Sequence, residues 1–267
     1  MMEIARMKLK QFWMTFFLLT AVSTSGLWAQ TSENEEVEVI KPSSTNPTTL
    51  GKADAARAAT MIIDRTNKFR QSQGLKPVRS DEELTKAAKS FASYMAKNDR
   101  YGHTADGNRP AQRAKKAGYE YCIVLENIAY QYKTSDFATE TLGNRFFEGW
   151  KESPGHRKNM LNKYVTETGV AIVQSRDSGY YYAVQMFGRP RSQSIEFSLS
   201  NASSTTVSYK IDDRKYELPP RYRRTHTVCR PPQVVLMTKE EQTIKPKNGS
   251  KYVIEQRPQG GVEIKKQ

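Results

Sequence analysis

This chain is poor in the residues that usually announce chemistry. It holds two cysteines, three histidines and three tryptophans in 267 residues. Two cysteines permit one disulfide at most, and neither sits in a recognisable nucleophile motif, which argues against cysteine catalysis. There is no arginine-rich run and no Gly-Lys-Ser/Thr phosphate-binding run. Outside residues 12–22 no apolar run approaches membrane length, so the rest reads as soluble. No internal repeat is visible.

What the chain has in excess is positive charge, with a formal net charge of +14. Residues 52–190 hold 23 Lys and Arg against 15 Asp and Glu, and residues 191–267 hold 15 against 8. A solvated basic surface explains this, and so does attraction to acidic envelope polymers or an anionic lipid surface. Nucleic acid is disfavoured as a partner, because the N-terminus carries an export signal. Arg6, Lys8 and Lys10 form a basic n-region, 12–22 an apolar core, and small residues follow, so 1–30 reads as a signal peptide with cleavage after Ala29. Leu27 is an imperfect residue for that cut, and an uncleaved anchor is the alternative. Residues 31–51 carry four glutamates, then Ser, Thr and Pro with little apolar content, and read as a disordered linker. The protein is expected to be periplasmic, envelope-bound or extracellular.

Between 52 and 190 the apolar spacing predicts helices over 53–73, from Ser80 to about Lys97, over 109–116 and over 136–151. Ser80-Asp81-Glu82-Glu83 reads as a capping box with Ser80 as the N-cap. Ser153-Pro154 reads as an N-cap followed by proline at the first helical position, starting a short helix through Leu161. Its N-terminal N–H groups would favour an anion or polar ligand beside His156. Strands over 169–174 and 180–187, with Asp177-Ser178-Gly179 between them, predict an antiparallel hairpin. Helices first and a hairpin last give an α+β domain. From 191 to 267 short β-rich segments alternate with turns at Asp212-Asp213, Pro219-Pro220 and Pro231-Pro232, which predicts a small all-β module, a sandwich or a meander. The cysteines, Cys122 and Cys229, would tie the two halves together if paired; two separate buried thiols are the alternative.

Two of the three histidines lie in short motifs. These are Gly-His-Thr at 102–104, Glu-Asn-Ile-Ala at 126–129, and Trp150 with Ser153-Pro154-Gly155-His156-Arg157 and Asn159-Met160-Leu161. Two imidazoles and a carboxylate brought together can bind a divalent metal or move a proton. With the Gly169-Val170 strand and the strand from Tyr181 to Phe187, these motifs resemble the CAP superfamily (cysteine-rich secretory, antigen 5 and pathogenesis-related proteins), in its bacterial SCP-like extracellular branch. The resemblance covers about half the chain and stops before 191. It implies an α-β-α sandwich with a central antiparallel sheet and a cleft lined by His103, Glu126 and His156. Many members carry a second glutamate where this chain has Ser153, so the usual two-His, two-Glu set is incomplete. Leu125 also stands where glycine commonly precedes Glu-Asn-Ile.

Three functions are compatible with this reading. The first is an exported binding module that takes a lipid, glycan or peptide ligand in the cleft, with no cofactor required. The second is a metal-assisted hydrolase of peptide or ester bonds. His103, Glu126 and His156 would be catalytic, with Glu126 as base, and His103 and His156 would hold a divalent metal such as zinc. The third is a scaffold whose β module carries recognition. The bland readings are that Glu126 is a structural hydrogen-bond partner, that Trp150, Phe146 and Phe147 are core, that Ser153 is an N-cap without a nucleophile elbow, and that His226 is an ordinary strand residue.

Overall fold

The computed structural model describes residues 38–39 and 53–267. The expected signal peptide at 1–30, and the rest of the expected linker at 31–51, lie outside the described residues.

The first element, β1 (Glu38–Val39), pairs antiparallel with β3 (Arg100–Tyr101). Helix α1 (Ala55–Ser72) starts on Asp54, whose carboxylate accepts from the Arg57 N–H at 2.9 Å. A short β2 (Arg79–Ser80) precedes α2 (Glu82–Asn98). The N-cap of α2 is Asp81, not Ser80: the Asp81 carboxylate accepts from the Leu84 N–H at 2.8 Å, while Ser80 pairs with Thr168 in the sheet. The ladder takes Ser80 first, and the cap shifts by one residue. After β3 come α3 (Pro110–Lys116), β4 (Tyr121–Gln131), α4 (Thr139–Glu152), α5 (Pro154–Met160), β5 (Glu167–Gln174) and β6 (Tyr181–Pro190).

The sheet runs β2-β5-β6-β4, antiparallel except for the β2–β5 pair. Alternation along β6 divides the core. Tyr181, Ala183 and Phe187 face a cluster that includes Ile62 of α1, Phe146 and Trp150 of α4, and Met160 of α5. Tyr182, Val184 and Met186 face a second cluster with Leu84, Phe91 and Met95 of α2 and Ala114 of α3. Helices therefore cover both faces, giving an α-β-α sandwich. The expected core role of the aromatic stripe holds, with Trp150 and Phe146 each 1% exposed. One close approach is allowed by a missing side chain: a methyl group on Gly169 of β5 would run into the backbone of Leu84 and Thr85 in α2. Arg70, itself buried, donates to the carbonyls of Lys76, Met160 and Asn162, and so anchors the end of α5 to α1.

The long edge strand β4 was not among the expected elements, although Tyr-Cys-Ile-Val-Leu-Glu-Asn-Ile-Ala-Tyr-Gln is rich in β formers. Beyond a short 3-10 turn at Arg191–Gln193, the C-terminal part is a sandwich, not a meander. Its strands are β7 (Ile195–Asn201), β8 (Val207–Ile211), β9 (Arg214–Leu218), β10 (Arg223–Val228), β11 (Val234–Leu236), β12 (Gln242–Ile244), β13 (Ser250–Gln256) and β14 (Val262–Lys266). Two four-stranded sheets, β10-β7-β13-β14 and β12-β11-β8-β9, close on one core that includes Phe197, Leu199, Tyr209, Val234 and Ile254. His226 of β10 lies inside this sandwich. Its ring stacks on Phe197 and its Nε2 meets the Tyr209 hydroxyl at 2.8 Å. The cysteines are paired: the Cys122–Cys229 disulfide joins the start of β4 to the loop after β10. Among the described residues no helix is long and apolar enough to cross a membrane.

Candidate functional site

The site is built around the edge strand β4. Glu126 shares a face with Val124 and Ile128, which pack into the α2 layer, and its carboxylate is 1% exposed. The next residue, Asn127, belongs to the opposite face, where its side-chain oxygen accepts from Asn159 Nδ2 at 2.9 Å. Asn159 also donates to the Glu126 carbonyl at 3.0 Å, and Asn127 Nδ2 donates to the His156 carbonyl at 3.3 Å. Trp150 Nε1 donates to the Ile128 carbonyl at 3.1 Å. These bonds fasten α4 and α5 to β4 and fix where His156 stands.

His103 follows β3 by one glycine. Its Nδ1 lies 2.7 Å from Glu126 Oε1. A carboxylate accepts here, so the proton of the neutral ring sits on Nδ1 and Nε2 is the basic nitrogen. Arg113 completes the network, and nothing in the sequence pattern singled it out. Its Nη2 donates to both Glu126 oxygens, at 2.9 and 2.8 Å, and to the His103 carbonyl at 2.8 Å. Its Nη1 donates to Asp106 at 2.7 Å and to the Asn108 carbonyl at 2.6 Å. The guanidinium stacks over Phe91, 3.6 Å from the ring centroid. The planar guanidinium sends Nη2 to the carboxylate and Nη1 to the flanking loop, a spread that the single nitrogen of an ammonium does not offer. The available signal was an arginine beside Ala114 on the inward side of a short helix; only packing reveals that both are buried.

His156 sits in α5, half-buried. Burial holds its pKa below the ordinary imidazole value, and the nearby His103 lowers it further. Of the three expected cleft residues, His103 and Glu126 meet directly, while His156 is tied to β4 through its carbonyl and Asn127; Glu126 is a structural hydrogen-bond partner. Ser153 caps α4 and begins α5: its carbonyl accepts from the Arg157 N–H at 2.8 Å, while its side chain makes no capping bond. Structural zinc takes four protein ligands and catalytic zinc three. Among the described residues no group of three or more His, Cys, Asp or Glu stands where it could hold a metal ion. Two imidazoles alone fall short of either number, and Glu126 is already held by Arg113.

A mostly antiparallel sheet covered by helices on both faces, with the His103–Glu126–Arg113 network on its edge strand, defines an α-β-α sandwich domain. Residues 63–187 match the sequence model of the CAP, cysteine-rich secretory protein family, and this stretch is a CAP domain. The Bacillus subtilis protein YkwD is 32% identical over 146 residues, 54% of this chain and 52% of that protein. The chain thus spans about half the length of this relative. A Borreliella burgdorferi protein is 24% identical over 144 residues, covering 86% of it. Among solved structures, an outer surface protein from Borrelia burgdorferi aligns with a TM-score of 0.45 at 22% identity, over 53% of this chain and 99% of that one. An extracellular protein containing an SCP domain from Bacillus anthracis aligns with a TM-score of 0.44 at 24% identity, over 54% of this chain and 45% of that one. Residues 188–267 lie outside the family match.

Proposed function

We propose that this chain is an exported binding module whose cleft at His103, Glu126 and His156 holds a polar group of an envelope or extracellular ligand. The ligand class is a lipid headgroup, a glycan or a peptide. The observation that carries this reading is the way Glu126 is held. Both its oxygens are engaged, by Arg113 and by His103, so the carboxylate orients an imidazole instead of standing ready to draw a proton from water. His156, kept neutral by burial, adds a second ring able to donate or accept. A preorganised polar pair of this kind recognises a ligand without moving, which keeps the entropic cost of binding low. The excess of Lys and Arg over Asp and Glu supports an acidic or anionic ligand.

The test is co-sedimentation of the purified chain with peptidoglycan and with phosphatidylglycerol vesicles, together with binding to an acidic-glycan array. At least one of these is expected to retain the wild-type protein. His103→Ala and His156→Ala are expected to weaken that retention about tenfold with the circular dichroism unchanged. Retention by none of them, or equal retention of wild type and both variants, would overturn the reading.

A further inference from the structure

Strand β3 (Arg100–Tyr101) lies between the end of α2 and the Gly102-His103 step that brings the site histidine into place. It belongs to none of the larger sheets. Its partner is β1, antiparallel, with Glu38 opposite Tyr101 and Val39 opposite Arg100. A stretch of backbone from about sixty residues earlier thus adds a strand to the rim of the cleft. Backbone pairing of this kind accepts extended peptides in general, and the neighbouring side chains set which ones.

The register says which side chains count. In the register set by Glu38 and Val39, a strand extended toward its own N-terminus meets Gly102 one place further and His103 two places further. The receiving strand places the exposed Arg100 opposite Val39 and Tyr101 opposite Glu38, on a domain with more cations than anions. The chain that supplies β1 is opposite in sign. The sequence Glu-Asn-Glu-Glu-Val-Glu-Val at 33–39 holds four glutamates and no cation. Charge and backbone pairing point to the same partner chemistry.

We propose that the β3 edge beside His103 is a strand-addition site for extended acidic peptides, and that Glu38–Val39 is its tethered occupant. A tether gives the occupant an effective concentration on the order of millimolar, so a free peptide at micromolar concentration does not displace it. A partner that offers a similar acidic strand gains access when the tethered one is weakened or removed. The backbone of β3 carries this interaction, so it does not require the cleft to hold the ligand proposed above.

The experiment uses the full chain and a labelled synthetic peptide, Glu-Asn-Glu-Glu-Val-Glu-Val-Ile-Lys, read by fluorescence anisotropy. The double variant Glu38→Pro with Val39→Pro removes the ladder donors of the tethered strand. It is expected to bind the peptide about tenfold or more tightly than wild type. A second variant with glutamines at positions 33, 35, 36 and 38 leaves the backbone intact and is expected to shift affinity in the same direction. The same peptide with its glutamates replaced by glutamine is expected to bind each protein more weakly. Amide shift changes on peptide binding are expected at residues 100–103. His156→Ala, placed in the proline background, is expected to keep peptide affinity within about twofold, which separates this contact from the cleft ligand. Equal peptide affinity in wild type and both variants, shift changes that avoid 100–103, or loss of affinity on His156→Ala would each overturn the proposal.

Discussion

Arg113 is predicted to contribute more to this domain than any residue of the histidine pair, and Arg113→Ala tests it. In the native protein its side chain is 5% exposed and that of Glu126 is 1% exposed. Truncating the arginine strands a buried carboxylate whose remaining partner is an imidazole, and breaking a buried ion pair this way costs about 3–5 kcal/mol. The lost stacking on Phe91 adds about 1–2 kcal/mol. A typical domain is stable by about 5–15 kcal/mol, so the variant should lie near the edge of folding. Trp150, buried and the one tryptophan among the described residues, reports on this domain, so fluorescence-detected urea unfolding is the assay. The companion variant pairs Arg113→Ala with Glu126→Gln and removes the stranded charge; it should recover at least half of the loss. A single variant that costs less than about 1 kcal/mol, or a double variant whose loss equals the sum of the two singles, would refute the view that one buried pair organises the site.

Two further outcomes follow from the packing. Burial, reinforced by Arg224, lowers the pKa of His226 to about 4. An unfolded histidine takes its proton near pH 6.5, so the β sandwich should be at full stability above that pH and should lose about 3 kcal/mol as pH falls from 6.5 to 4. Hydrogen exchange of the β10 amides should show this slope in wild type and a flatter one in His226→Leu; an identical slope in both would exclude His226 as its source. Gly169→Ala should cost about 2 kcal/mol or more, because the new methyl must push α2 off β5. Gly155→Ala, in α5 with open space around it, should be neutral or slightly stabilising, and a thermal melt of the pair that ranks them the other way would contradict the close approach.

The helices were legible because their apolar residues recur at a spacing that does not depend on partners. The α1, α2, α3 and α4 segments fall within a few residues of where that spacing puts them. Strand β4 was harder to see: it carries apolar residues on both sides, Ile123, Leu125 and Ala129 toward one layer and Val124, Ile128 and Tyr130 toward the other, so no simple alternation marks it. The motif residues were legible as a set, but their roles were not. Asn127 and Asn159 sit inside the quoted motifs, and only the distances show that they bind α5 to β4.

The sequence by itself determined the family of the N-terminal domain and its three layers, along with three candidate cleft residues. It also showed that a carboxylate common at the Ser153 position is missing. These are properties of local spacing and residue type, which survive without knowledge of contacts. Tertiary structure decided the rest. It paired Cys122 with Cys229 across 107 residues and made the C-terminal part a sandwich. It laid Glu38–Val39 against Arg100–Tyr101, two residues before His103. Above all, it brought Arg113 and His103 onto the buried Glu126 carboxylate. A charge's role depends on which opposite charge shares its buried surroundings, and chain order does not encode that neighbour.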